Sequence, residues 1–277
     1  PRTSSAASDV YKRQILLGVP FGIICYYFGN PSFAILMSFI MLIGLDEFYN
    51  MCEKKNAFPN RIFGFIATML ISLSYSGVYA HHQITIMGLI CLGVISVFFI
   101  ELINNKKEPL LNVGVTFLGI LFIPCMLGTL IYLRQMDHIY NSNLVFIIFI
   151  SVWMCDTSAF FFGSVFGEKK IAPHISPKKS WVGSVTGLLS SVLVFFIAWK
   201  ISFLGSLYNY SDAIIFGLIS GIFSQIGDFS VSMLKRDTNV KDSGKILFGH
   251  GGILDRFDSL LFSAPLFYIY LLIFLNK

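Results

Sequence analysis

The stretch "DAIIFGLISGIFSQIGDFSVSMLKR", residues 212–236, is apolar for about six helical turns, holds one carboxylate deep inside and stops at a Lys-Arg pair. A helix needs about 20 predominantly apolar residues to cross the hydrocarbon core of a membrane, and the run from 212 to 233 supplies them. Runs of the same character lie near 15–29, 31–49, 61–80, 84–103, 110–133, 143–163, 182–202 and 257–275. The first is short and meets the second at a tight Gly-Asn-Pro turn, 29–31. The sequence therefore predicts an all-α, polytopic integral membrane protein of about nine transmembrane helices. Composition agrees. Of 277 residues, 55% are hydrophobic and 13% charged, whereas a soluble domain carries about 25% charged residues.

Charge placement orients the spans. Seventeen of the 20 Lys and Arg residues fall in the segments of one side; only Arg134, Lys200 and Lys277 fall on the other. The positive-inside rule makes the crowded side cytoplasmic, with the N-terminus inside and the C-terminus outside. The net charge of +5 then belongs to cytoplasmic loops and calls for no nucleic acid. Residues 1–14 read as a polar, non-native leader, unlike the apolar run at 15–29. Residues 15–140 hold the N-terminal helices, about five by length. Residues 141–277 form the region expected to carry chemistry, with cytoplasmic loops at 164–181 and 234–256. The five cysteines are scattered and read as small apolar fillers.

Asp228, about 10 Å before Lys235 along the helix, is the most informative single residue. A carboxylate at that depth costs about 2.5–3.5 kcal/mol on insertion scales and needs a partner. That partner is a basic residue, a cation or a water-filled cavity. Ser232, one turn on, faces the same side and can add an oxygen. Downstream, "GHGGILDRFD", 249–258, leads glycines into a helix start, where free N–H groups suit phosphate, although the glycines could equally make a turn. Asp255 and Asp258 share a face there and suit a hard cation. Asp156, in "WMCDTSAFFFGSVFG" (153–167), is buried about as deeply. In "HISPKKSWVG" (174–183), Lys178 and Lys179 precede a helix for which Ser180 is the expected N-cap. That pair suits phosphate, or else ordinary positive-inside flanking.

The string "SMLKRDTNVKDSGKILFGHGGILDRFD", 232–258, resembles the signature of the CDP-diacylglycerol synthase, or phosphatidate cytidylyltransferase, family. That signature has Ser, Lys-Arg, Lys-Asp and then His-Gly-Gly with a closing Asp-Arg and Asp. Ser232, Lys235, Arg236, Lys241, Asp242, His250, Gly251, Gly252, Asp255, Arg256 and Asp258 match it in spacing, while Phe248 departs from the usual proline or small residue. The segments "DTSAFFFG" and "SPKKSW" resemble the family too.

The resemblance implies a reaction of CTP with phosphatidic acid, giving CDP-diacylglycerol and pyrophosphate at a cytoplasm-facing site in the inner (plasma) membrane. It implies Mg²⁺, with a second cation left open. Asp228 and Asp255 would be the main metal ligands, Ser232 and Asp258 lesser ones and Asp156 an additional member. Lys235, Arg236 and Lys241 would hold phosphates, with Lys178, Lys179 and Ser180 as secondary candidates. Asp242 and His250 would orient the loop, with His250 and the glycines Gly251 and Gly252 near phosphate oxygens. Partners would be CTP, phosphatidic acid and membrane lipids; a homodimer is left open. Two rivals stand beside this reading: a membrane lipid kinase using CTP or ATP, and a cation transporter running through Asp156, Asp228 and Asp255.

Overall fold

The computed structural model describes residues 29–77, 83–104, 107–136, 141–244 and 251–275. The expected span at 15–29, the leader, Cys25, Lys245 and His250 lie outside the described residues, save Gly29 at the edge of that span. In chain order the helices are α1 (Asn30–Glu53), α2 (Arg61–Tyr75), α3 (Gln83–Asn104), α4 (Pro109–Ile120), α5 (Met126–Gln135), α6 (Asn141–Phe166), α7 (Trp181–Lys200), α8 (Tyr210–Asp237) and α9 (Leu254–Tyr270). α4 and α5 form one rod, joined by a π-helical turn at Leu121–Cys125 that contains Pro124. Proline lacks the N–H that the ladder needs, and the wider turn absorbs the defect. Six of the rods, starting at Asn30, Pro109, Asn143, Trp181, Tyr210 and Leu254, are long and apolar enough to cross a membrane; Arg61–Tyr75 and Ile90–Asn104 are shorter apolar helices. This is the architecture of a multi-pass membrane protein.

One correction to the all-α expectation falls in the loop 164–181. β1 (Lys170–Ala172) and β2 (Ser176–Ser180) pair antiparallel as a small hairpin. The hairpin sits between α6 and α7. Ser180 ends it and caps α7, its Oγ accepting the Gly183 N–H at 3.2 Å, as the sequence predicts.

Contacts between helix ends give the alternation of direction. At one end Lys55, just after α1, reaches Asp237 of α8 at 3.0 Å. At the other, Tyr270 of α9 donates to Asp212 in the first turn of α8 at 2.7 Å, and Asn143 of α6 donates to the Phe203 carbonyl just beyond α7 at 2.8 Å. Helix α7 shows how the pieces pack. Gly183, Gly187, Ser191 and Phe195 repeat every four residues on its buried face, while Leu189, Leu193 and Ile197 form an exposed stripe. Lipid tails are as apolar as leucine, so small residues that admit close backbone contact drive association there. A Cβ on Gly183 would lie 2.5 Å from the Ala159 carbonyl oxygen of α6. On Gly217 of α8 it would lie 2.4 Å from Val192 Cα of α7, and on Gly227, 2.3 Å from the Asp258 carbonyl of α9. The described cysteines form no disulfide, and buried Cys155 of α6 is hydrogen-bonded to Ser224, Gln225 and the Gly221 carbonyl of α8, so it is more than an apolar filler.

Replacing Gly217 with Leu forces α7 and α8 apart by backbone contact, remote from the charged end of the bundle. Overpacking of this kind costs about 1–3 kcal/mol. Thermal unfolding of the detergent-solubilised variant should show a clearly lower midpoint; a midpoint equal to wild type contradicts the close α7–α8 approach.

Candidate active site

The end of the bundle where α6 and α8 finish and α7 and α9 begin encloses a cavity of about 580 Å³, roofed by the hairpin. Its charged lining is balanced. Asp156, Asp228, Asp255 and Asp258 contribute four carboxylates; Lys170, Lys178, Lys179 and Lys235 contribute four ammonium groups. The carboxylates come from three helices that the sequence separates widely. Close approach at Gly227 sets Asp228 of α8 beside the Asp258 turn of α9.

Asp228 has the partners its depth demands. Ser232, one turn on, donates to Oδ1 at 3.2 Å, and Lys179 Nζ lies 2.5 Å from Oδ2. The Lys179 nitrogen is sealed from solvent and approaches the carboxylate off the hydrogen-bonding direction, so charge holds this pair. The same ammonium stands 4.1 Å from the centre of the Phe229 ring, a cation–π contact. Asp228 therefore has a basic partner that comes from the hairpin strand, and it also lines a polar cavity.

A second pair lies across the cavity. Lys235 Nζ is 2.6 Å from Asp255 Oδ1, with 11% and 12% of the two side chains exposed. Asp255 Oδ2 accepts from the Ser243 N–H at 2.8 Å, the Gly252 N–H at 3.0 Å and the Ser243 hydroxyl at 3.0 Å. Gly251 is in the left-handed region, φ +85°, which glycine adopts without strain.

The start of α9 differs from expectation. The N–H groups read as free for phosphate are taken by the protein's own carboxylates: Gly252 donates to Asp255, while Ile253 and Leu254 donate to Glu47, each at 2.9 Å. A carboxylate satisfies a helix start as well as a phosphate does, and here the chain supplies its own.

The remaining candidates divide. Asp156, Asp258, Lys178 and Ser180 line the cavity, the last buried as the α7 cap. Arg236 turns to the hairpin instead, donating to the Ile175 carbonyl at 3.2 Å and to the Val240 carbonyl at 3.4 Å. Lys241 and Asp242 are exposed on the segment after α8, outside the cavity lining. His250 lies outside the described residues.

Sequence reasoning missed three participants. Lys170 lines the cavity from β1 and Ser243 links two carboxylates. Glu47, 2% exposed on α1, carried a signal in its charge, but it stands beside Asp46 near the helix end, where charge is ordinary.

For a divalent cation the donor chemistry fits. Asp156, Asp228 and Asp258 line one cavity, and Ser232 adds an oxygen beside Asp228. Hard oxygen donors of this kind suit Mg²⁺. Among the described residues, however, no group of three or more His, Cys, Asp or Glu is placed so that it could hold a metal ion. Asp255 would have to release Lys235 to offer Oδ1.

The model of the cytidylyltransferase family matches residues 13–274. A phosphatidate cytidylyltransferase of Bacillus subtilis (strain 168) is 30% identical over 267 residues, covering 95% of this chain and 98% of that protein. One from Staphylococcus haemolyticus (strain JCSC1435) is 32% identical over 253 residues, covering 88% and 91%. One from Rickettsia bellii (strain RML369-C) is 38% identical over 190 residues, covering 66% and 77%. With nearly its whole length matched, this chain belongs to the cytidylyltransferase family.

Proposed function

We propose that the protein is a phosphatidate cytidylyltransferase, joining CTP to phosphatidic acid to give CDP-diacylglycerol and pyrophosphate. The observation that carries this reading is the balanced cavity. Four aspartates and four lysines line one pocket at the end of a membrane bundle, as a metal–polyphosphate and an anionic lipid headgroup require. Relatives that cover most of the chain carry the same name.

In this reaction an oxygen of the lipid phosphate monoester attacks the α-phosphorus of CTP. The bond from that phosphorus to the bridging oxygen breaks, and pyrophosphate leaves with the electron pair. The attacking phosphate is already ionised near neutral pH, so no strong general base is needed. Positioning and electrostatics carry the acceleration. Lys170, Lys178 and Lys179 come from the hairpin and Lys235 from α8; their ammonium groups hold the phosphates of the two substrates. Lys179 and Lys235 are each paired with an aspartate, so both are held in place as point charges. Asp228, Asp258 and Asp156 would hold Mg²⁺, with Asp255 and Ser232 beside them. Bound there, the ion would supply charge neutralisation on the polyphosphate. Arg236, fixed to the hairpin backbone, keeps the roof in register with α8.

The cavity end faces the cytoplasm, where CTP is available, and the inner membrane is the expected site. Loop charge supports this, because the basic segments gather at that end.

With purified wild-type protein, pyrophosphate release should require both CTP and phosphatidic acid. Asp228→Asn should lower kcat per folded molecule by about 10²–10³-fold, the usual loss for a key electrostatic group. More than about a tenth of wild-type turnover would remove Asp228 from the reacting centre.

Orientation has its own test in a cysteine-free background. His174→Cys at the hairpin tip should be protected from an impermeant thiol reagent added outside intact cells, whereas Ser206→Cys between α7 and α8 should be labelled. Both positions are exposed. The reverse pattern would put the cavity on the side without CTP.

A further inference from the structure

Glu47 is a buried carboxylate on α1 that the reaction itself does not use. Its carboxylate makes three hydrogen bonds, all to a segment about 200 residues away. Oε1 accepts from the Ile253 N–H at 2.9 Å, and Oε2 accepts from the Leu254 N–H at 2.9 Å and the Ser243 hydroxyl at 2.8 Å. The fit on both sides is tight. A Cβ on Gly244 would lie 2.2 Å from Oε1, and one on Gly252 would lie 2.2 Å from Oε2. Ser243 and Gly244 on one side and Gly252 to Leu254 on the other are thus pressed against one side chain of a distant helix.

We propose that Glu47 is a positioning residue for the reaction, acting through Ser243 and Asp255 on Lys235. The path is contiguous. The Ser243 hydroxyl has one proton and stands between two carboxylates, Glu47 Oε2 at 2.8 Å and Asp255 Oδ2 at 3.0 Å. Asp255 in turn fixes Lys235 at 2.6 Å, and Lys235 faces the cavity. Glu47 also fills the start of α9 with a fixed negative charge. Free N–H groups at a helix start draw phosphate; with Glu47 bound to two of them, substrate phosphates are steered to the lysines of the hairpin side. The residue therefore does two things, holding the Lys235–Asp255 pair in place and closing a competing anion site.

This inference rests on the proposed reaction for its kinetic readout but not for its structural one. Two variants separate fold from position: Glu47→Gln keeps the shape and removes the charge, and Glu47→Ala removes the contacts. The first measurement is tryptic cleavage after Lys241, which needs the segment released from α1. It should run about ten-fold faster in Glu47→Gln than in wild type, a local opening that leaves the rest of the bundle closed. The second is kcat per folded molecule. It should fall about 10- to 100-fold in Glu47→Gln, the cost of a misplacement near 1 Å, and Ser243→Ala should fall comparably. The double variant should be no worse than the poorer single, because both changes cut one path. Wild-type cleavage rates in Glu47→Gln would overturn the proposal whether or not the protein turns over CTP. So would wild-type kcat in that variant, or a double variant whose loss is the product of the two. A wild-type protein that fails to release pyrophosphate would instead overturn the proposed reaction, leaving the cleavage result to decide on Glu47.

Discussion

Lys235 and Asp255 meet at 2.6 Å with about nine-tenths of each side chain out of solvent, and much of the catalytic end hangs on that pair. Neither charge is tolerable alone between apolar helices. Removing one partner of a buried pair costs about 3–5 kcal/mol, because the other charge is stranded. The pair therefore fixes where α8 may end and where α9 may begin. Asp255 uses its second oxygen to gather the Ser243 and Gly252 N–H groups, so the connecting segment folds back onto the same point. Lys179 and Asp228 repeat the device across the cavity, with Phe229 closing over the ammonium. Charge neutralised in this way can be kept at membrane depth, ready for ligands that also carry both signs.

Close backbone contact makes such pairing geometrically possible. At Gly227 the α8 backbone touches the Asp258 carbonyl, and at Gly183 α7 touches α6 at Ala159. Larger residues at either point would widen the cavity and separate its carboxylates. The apolar exterior has the opposite character: Leu189, Leu193 and Ile197 point outward at helical spacing. The same helix thus meets lipid with bulk and its neighbours with glycine, a division that suits a medium where packing, not water exclusion, drives assembly.

Most spans are legible in the sequence because a membrane imposes length and polarity on each segment separately. Asp228 is legible for the same reason, since one charge in an apolar run stands out, and Ser232 follows from its one-turn spacing. The Ser180 cap is local and equally readable. What is not readable depends on pairing at a distance. That Lys179 rather than Lys178 reaches Asp228 follows from the alternation of side chains along the strand β2, itself unforeseen. The α9 start looks open to anions from its glycines alone; only the fold brings Glu47 across to fill it. Arg236 reads as a phosphate ligand from its motif, yet the Ile175 carbonyl of the hairpin and the Val240 carbonyl just past α8 capture it first.

The central claim is nucleotidyl transfer at this cavity, with the cytidine and its α-phosphate joined to lipid. Following two labels in parallel tests it most directly. Purified protein supplied with phosphatidic acid and CTP labelled at either the α- or the γ-phosphorus should carry the α-label into the lipid fraction and leave the γ-label in water-soluble pyrophosphate. Appearance of the γ-label in lipid, with CDP released, would make the protein a lipid kinase and contradict the account.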